Sequence, residues 1–188
     1  LAEHYGPPRD DAQKITLQAW MGTQADSRWA AAIAAHAMSR QNGKGDEIED
    51  RELYGLLILG EAIVHTAHEV ATAKNAFERL EARFQNHRDL RVKVAKFRYA
   101  NGEQGIELKS GAFIAYRART GAAGRGLDAL DVVVYDEAQH LTAEQLAASS
   151  PALAVSPNPQ RIITGSAGLV TSVRWTEMRM DALRDIGG

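Results

Sequence analysis

"VVVYDEAQ", Val132–Gln139, joins four apolar residues directly to two adjacent carboxylates. An unbroken apolar run of that length suits a strand covered on both faces, as inside a parallel sheet. Such a strand, ending at Asp136 and Glu137, delivers both acids to the sheet edge where ligands bind in open α/β folds. The plain alternative is a strand that stops at a charged loop. The flanking sequence decides between the two.

Upstream, "SRQNGKG", Ser39–Gly45, follows the small apolar run "WAAAIAAHAM", 29–38. Its alanines favour helix by propensity. The run enters a Gly-Lys loop directly, as a buried central strand would, and we read it as a strand. The acidic "DEIEDRELYGLLIL", 46–59, then reads as a helix, with Ile48, Leu53, Leu56 and Leu57 as its apolar stripe and Gly60 as its stop. Strand, glycine turn and helix start together make an anion site, because free backbone N–H groups and the helix dipole face the ligand. Against the phosphate-loop pattern G-x-x-x-x-G-K-[ST], Met38 replaces the first glycine and Gly45 the hydroxyl. Alone, a GK pair is weak evidence. Paired with an acidic strand end about ninety residues later, it points to ATP hydrolysis.

Downstream, "RIITGSAG", 161–168, reads as a last buried strand whose end places Thr164, Gly165 and Ser166 beside the acids. Between these landmarks, "EAIVHTA" is a β-branched strand. "HEVATAKNAFERLEARFQN", 68–86, is a helix burying Val70, Ala73, Phe77, Leu80 and Phe84. "LRVKVAKFRYA", "IELKS" and "GAFIAYRA" form an antiparallel meander around the turn "NGEQG", and "TAEQLAAS" is a helix capped by Thr142. Residues 1–14, with Pro7-Pro8, read as loop, and "ITLQAWMG" as a short apolar segment. The expected fold is α/β: a mostly parallel sheet flanked by helices, with an antiparallel meander inserted.

The bulk composition agrees. With 188 residues, 45% of them hydrophobic, the chain can bury one sizeable core. It has no cysteine, so disulfides and thiolate metal sites are excluded. A net charge of −2 supplies no general basic field for nucleic acid, and the basic segment "RVKVAKFR" is a candidate for a local contact with it. No run is long and apolar enough to span a membrane.

The chemistry assigns roles. Lys44 reaches the β and γ phosphates, Asp136 holds Mg²⁺ directly or through water, and Glu137 activates the attacking water. Phosphoryl transfer also gains from an added positive charge. Arg40 lies inside the loop, while Arg119 and Arg125 flank glycines in "RTGAAGRG", a loop able to reach a neighbouring subunit. For Arg119 a plain solvated role is an equal alternative. His65 and His68 lack a third metal ligand and read as structural; Trp20, Trp29 and Tyr54 read as core or rim.

Together, "SRQNGKG", "VHTAHEVATAKNAFERL", "VVVYDEAQ" and "TGSA" resemble, in order and spacing, the ATPase domain of the large terminase subunit of tailed bacteriophages, over residues 15–170. The resemblance implies a P-loop NTPase of the RecA/ASCE type. "SRQNGKG" is then a divergent Walker A loop in which Ser39, Arg40, Gln41, Asn42, Gly43, Lys44 and Gly45 bind ATP. Asp136 is the Walker B acid for Mg²⁺, Glu137 the general base, Thr164, Gly165 and Ser166 the coupling motif, and Gln18 an adenine-side contact. Arg40 would support the γ-phosphate in its own subunit, and Arg125 would act in trans as the ring's arginine finger. The implied partners are double-stranded DNA, the portal protein, the small terminase subunit and further copies in a ring, by resemblance a pentamer, in the host cytoplasm.

Three departures stand against the pattern. Gly45 removes a hydroxyl that usually helps hold Mg²⁺. Residues 1–188 read as a single N-terminal ATPase domain without the family's nuclease, and the lid after the coupling motif reads as incomplete. Competing readings are a helicase-like P-loop ATPase, since "DEAQ" is close to the DEAD and DEAH boxes, and a nucleotide-binding assembly module with little turnover.

Overall fold

The computed structural model describes residues 2–39, 43–119, 129–166 and 172–186. Strand β1 (Ile33–Ala37) opens a seven-stranded sheet that continues with β2 (Ala62–Ala67), β3 (Val94–Arg98), β4 (Gly105–Leu108), β5 (Phe113–Ala118), β6 (Val132–Tyr135) and β7 (Gln160–Gly165). Their spatial order is β1-β7-β6-β2-β5-β4-β3. The run from β1 to β5 is parallel throughout, and β4 and β3 extend it antiparallel, as the meander predicts.

The unbroken apolar run of β6 is explained by its place between β7 and β2, with both faces covered. Val132 and Val134 face a core shared with α3 (Lys44–Tyr54) and α4 (Val70–Asn86). Val133 and Tyr135 face a second core containing Ala152 and Leu153 of α7 (Ser150–Leu153) and Trp175 of α8 (Val173–Ile186). Thr142 caps α6 (Ala143–Ala148) in a capping box with Gln145, as read from the sequence.

Several expectations are corrected. The N-terminal stretch is not a loop: α1 (Ala2–Tyr5) is followed by α2 (Asp11–Trp20), which absorbs much of "ITLQAWMG". Asp10 accepts from Gln13 N while the Gln13 side chain accepts from Asp10 N. This reciprocal cap starts a helix three residues beyond the proline pair. Strand β1 is shorter than expected and lies at the sheet edge, with Ala34 its only buried residue. Alanines make an edge strand and a central strand look alike, since neither needs large side chains there. A helical turn, α5 (Arg88–Arg91), takes the start of the expected strand at 90–100. Val70 opens α4 on its exposed side, while Ala73, Phe77, Leu80 and Phe84 are buried as expected.

Helix α3 departs most from its sequence. Its apolar stripe is the expected buried face, yet the acids Glu47, Glu49, Asp50 and Glu52 are all buried as well. Arg83 of α4 bridges Asp50 at 2.6 Å and Glu49 at 2.9 Å, and the Arg9 Nε bonds Asp50 from the other side. Farther along, Arg51 forks onto Glu61 at 2.7 and 2.9 Å, and its Nε donates to Gln160 Oε1. The helix then loosens into a π turn, Gly55–Leu59, closed by Gly60 at φ 72°. A Cβ at Gly55 would run into Glu61 Oε2 and lie 2.8 Å from Arg51 Nη1, so the buried ion pair requires glycine there.

Removing one member of a buried pair leaves a charge without its counter-ion, which costs about 3–5 kcal/mol. Glu61→Ala should therefore lower the unfolding free energy, read from denaturant titration, by that amount. The double substitution Arg51→Met/Glu61→Leu should recover most of the loss, and equal losses for the single and double variants would contradict the pairing.

Candidate functional site

Asp136 is the first residue beyond β6, and its N–H still bonds Thr66 O of β2, so its position is fixed by the sheet. Its Oδ1 is the meeting point of three elements. Lys44 Nζ, at the start of α3, lies 2.9 Å away; Thr164 Oγ1, in β7, donates at 2.9 Å; Glu137 N donates at 2.8 Å. Burial by itself would raise the Asp136 pKa. The Lys44 ammonium, the nearby His65 and the hydrogen bonds from Lys44 and Thr164 outweigh it and hold the carboxyl below its ordinary value. The site therefore presents an ionised carboxylate and an ammonium at the carboxyl ends of parallel strands, where the sequence places them.

Gly43 precedes α3 at φ 79°, a left-handed conformation that favours glycine. A Cβ there would also lie 2.5 Å from Gln13 Nε2. That nitrogen donates to Gly43 O at 3.3 Å, so α2 braces the loop through Gln13. Gln18, the expected contact from this segment, is exposed on the side of α2 away from the buried Gln13, Leu17 and Trp20. Ser39 is exposed at the loop's beginning, and Gly45 lies in the first turn of α3. Arg40, Gln41, Asn42 and Arg125 lie outside the described residues.

Glu137 is half-buried with φ 57° and ψ 49°, a rare conformation for a residue with a side chain. It opens a 3₁₀ turn, Ala138–His140, that carries Gln139. Gln139 Oε1 accepts from Ser166 N at 3.2 Å, Gln139 O accepts from Ser172 Oγ, and Trp175 Nε1 donates to Ser166 O at 2.9 Å. Thr164, Gly165 and Ser166 thus touch the acidic segment and α8 at once. Gly165 is needed for that closeness, since a Cβ there would lie 3.0 Å from Trp175 Cε2 and 3.2 Å from Gln139 Oε1. Neither Gln139 nor Trp175 stands out in the sequence, because both act by packing order rather than by motif.

Arg119 sits at the end of β5, 4% exposed, with its guanidinium bonded inside its own chain. The solvated alternative is thereby corrected, since burial and these bonds keep the side chain out of water. His65 is buried with Nδ1 2.6 Å from Glu52, which also accepts from Tyr116. His68 stacks on His140 with centroids 4.2 Å apart. Trp20 and Trp29 are buried and Tyr54 is half-buried. Among the described residues no group of three or more His, Cys, Asp or Glu could hold a metal by itself. Among them, too, no helix is long and apolar enough to cross a membrane.

No family model and no curated protein matches this chain by sequence. Solved structures do match its fold. The large terminase of bacteriophage HK97 superposes with a TM-score of 0.70 at 20% identity, covering 85% of this chain and 34% of that one. The large terminase ATPase domain of Thermus phage P74-26 gives a TM-score of 0.64 at 18% identity, over 90% of this chain and 69% of that domain. The large terminase of another thermophilic bacteriophage, in complex with ADP, gives 0.61 at 12% identity, over 84% of this chain and 39% of that one. The chain thus spans about a third of the HK97 protein's length. At these TM-scores the chain has the fold of the ATPase domain of bacteriophage large terminases.

Proposed function

We propose that this chain hydrolyses ATP as the motor domain of a large terminase and so drives double-stranded DNA into a viral capsid. The observation that carries the reading is the convergence of Lys44, Thr164 and the Glu137 N–H on one Asp136 oxygen. One large terminase of this fold, from a thermophilic bacteriophage, has been solved both with ADP and with ATP-γ-S, which supports nucleotide binding by this chain.

In this reading the N-terminus of α3 and Lys44 take the β and γ phosphates, and Arg40 adds charge from the same loop. Glu137 accepts a proton from water as the water oxygen bonds the γ-phosphorus; the bond to the β–γ bridging oxygen breaks, and ADP and phosphate leave. The donor set fits Mg²⁺. Asp136 is an ionised oxygen ligand, and Mg²⁺ is commonly held by one or two carboxylates together with substrate phosphates. Mg²⁺ would neutralise charge on the phosphates. Thr164, Gly165 and Ser166 would couple turnover to movement, since they join Asp136, Gln139 and Trp175 of α8. Arg125 would complete a neighbouring site in a homo-oligomeric ring, a pentamer by family resemblance. The portal protein and small terminase subunit would be partners in the host cytoplasm. Gly45 favours the second reading, a nucleotide-binding assembly module with little turnover.

Phosphate release from ATP separates the two readings. The wild-type chain should show slow basal release, and Glu137→Ala should reduce it by about 10²–10⁴-fold. Equal release by the variant would refute the role of Glu137. Arg125→Ala should lower activity only where chains assemble; full loss in a dilute monomer would place the arginine in cis. Gly45→Ser should lower the Mg²⁺ concentration needed for half-maximal rate several-fold. Its Cβ would lie 2.6 Å from Arg79 Nη2, so the half-exposed Arg79 must shift its guanidinium, whose Nε is paired with Glu49 at 2.6 Å. An unchanged requirement would mean that the missing hydroxyl does not limit the metal.

A further inference from the structure

A guanidinium taken out of water is costly unless its donors are satisfied. Arg119 is 4% exposed, and among the described residues no carboxylate lies within ion-pair distance of it. Its two terminal nitrogens turn to backbone oxygens and a hydroxyl, while its buried Nε has no partner among the described residues. Nη1 donates to Thr66 O at 2.8 Å and reaches Thr66 Oγ1 at 3.3 Å, and Nη2 donates to Glu137 O at 3.1 Å. Burial lowers its pKa to about 10, against the pull of Asp136 and Glu137. The backbone of Arg119 is itself fixed at both ends: its N–H bonds Ala67 O, and its carbonyl accepts from Gln145 Nε2 of α6 at 2.9 Å.

What this anchored arginine holds is unusual. Among the described residues only Ser27 and Glu137 combine a side chain with a positive φ. For an L-residue that conformation costs about 1–2 kcal/mol and persists only when the surroundings enforce it. Three bonds enforce it at Glu137. Its N–H is tied to Asp136 Oδ1, and its carbonyl accepts from both His140 N and Arg119 Nη2. The first two are local to the turn. Only Arg119 comes from another strand and ties the turn to β2 and β5.

We infer that Arg119 is a positioning residue that acts within its own chain. Its fork spans the ends of β2 and β6 and locks the Glu137 peptide in the left-handed conformation, which sets where the Glu137 carboxylate stands. The inference rests on the reading of Glu137 as the base. It also separates the two arginines of "RTGAAGRG": Arg119 belongs to the site of its own subunit and leaves the trans role to Arg125.

The test is steady-state ATP hydrolysis by the full chain with Mg²⁺, comparing wild type, Arg119→Lys, Arg119→Met and Glu137→Ala. One ammonium cannot span both carbonyls as the fork does. Both Arg119 variants should therefore lose at least tenfold in kcat, with KM for ATP within twofold of wild type and a cooperative thermal transition retained. If Arg119→Met fails to fold, Arg119→Lys carries the test. Wild-type kcat in a folded Arg119→Lys chain would overturn the inference, as would a loss confined to KM. Mixing Arg119→Lys with Glu137→Ala chains should restore nothing; recovered activity would mean that Arg119 serves a neighbour's site. Full activity of Glu137→Ala would instead overturn the role of Glu137 and leave the backbone geometry unaffected.

Discussion

A carboxylate at the end of a strand buried along its whole length needs partners, and Asp136 takes three on one oxygen. Each charge-assisted bond of this kind contributes about 1.5–3 kcal/mol, and an unpaired buried carboxylate would cost several. This one interaction sets the relative position of everything else at the sheet edge. Lys44 brings the start of α3 to β6, Thr164 brings β7, and the Glu137 N–H turns the chain sharply after the acid. The constraint explains why the loop before Lys44 ends on a left-handed glycine and why Glu137 accepts a strained backbone.

The same helix that begins at the site is anchored by charge along its length. Acids of α3 meet Arg9 and Arg83, and Arg51 meets Glu61 just before β2. Apolar packing alone tolerates small shifts of a helix, whereas forked, buried ion pairs tolerate few because each displaced charge loses its compensation. Such anchoring suits a helix whose N-terminus must hold position against a phosphate. On the opposite face, Trp175 and Gln139 connect the end of β7 to α8, so the two sides of the sheet are joined through Thr164, Gly165 and Ser166.

Much of this is legible in the residues themselves. The four apolar residues before Asp136 identify a central strand because only a strand covered on both faces tolerates them. The meander is legible because alternation and turn residues are local signals. The N-terminal helix α2 is not, because its start depends on the reciprocal Asp10–Gln13 cap, which the proline pair and charges obscure. Edge and centre cannot be distinguished for β1, since its alanines suit either place. At the site, Lys44, Asp136 and Thr164 stand out by motif and meet in space. The brace from Gln13 does not stand out in the same way, because which side chains of a segment face the loop depends on its helical register.

The sequence alone determined which residues could be charged, that the strands leading to Asp136 and Thr164 would be buried, and in what order the phosphate loop, acids and hydroxyls follow one another. These are local properties of residue type and spacing. Only the tertiary structure decided that the acids of α3 are internal and that Gln13 braces the loop. It alone turned Arg119 inward onto the Glu137 carbonyl. Each of these depends on a partner at least 11 residues away, and the energy of a buried charge is set by that partner rather than by its neighbours in the chain.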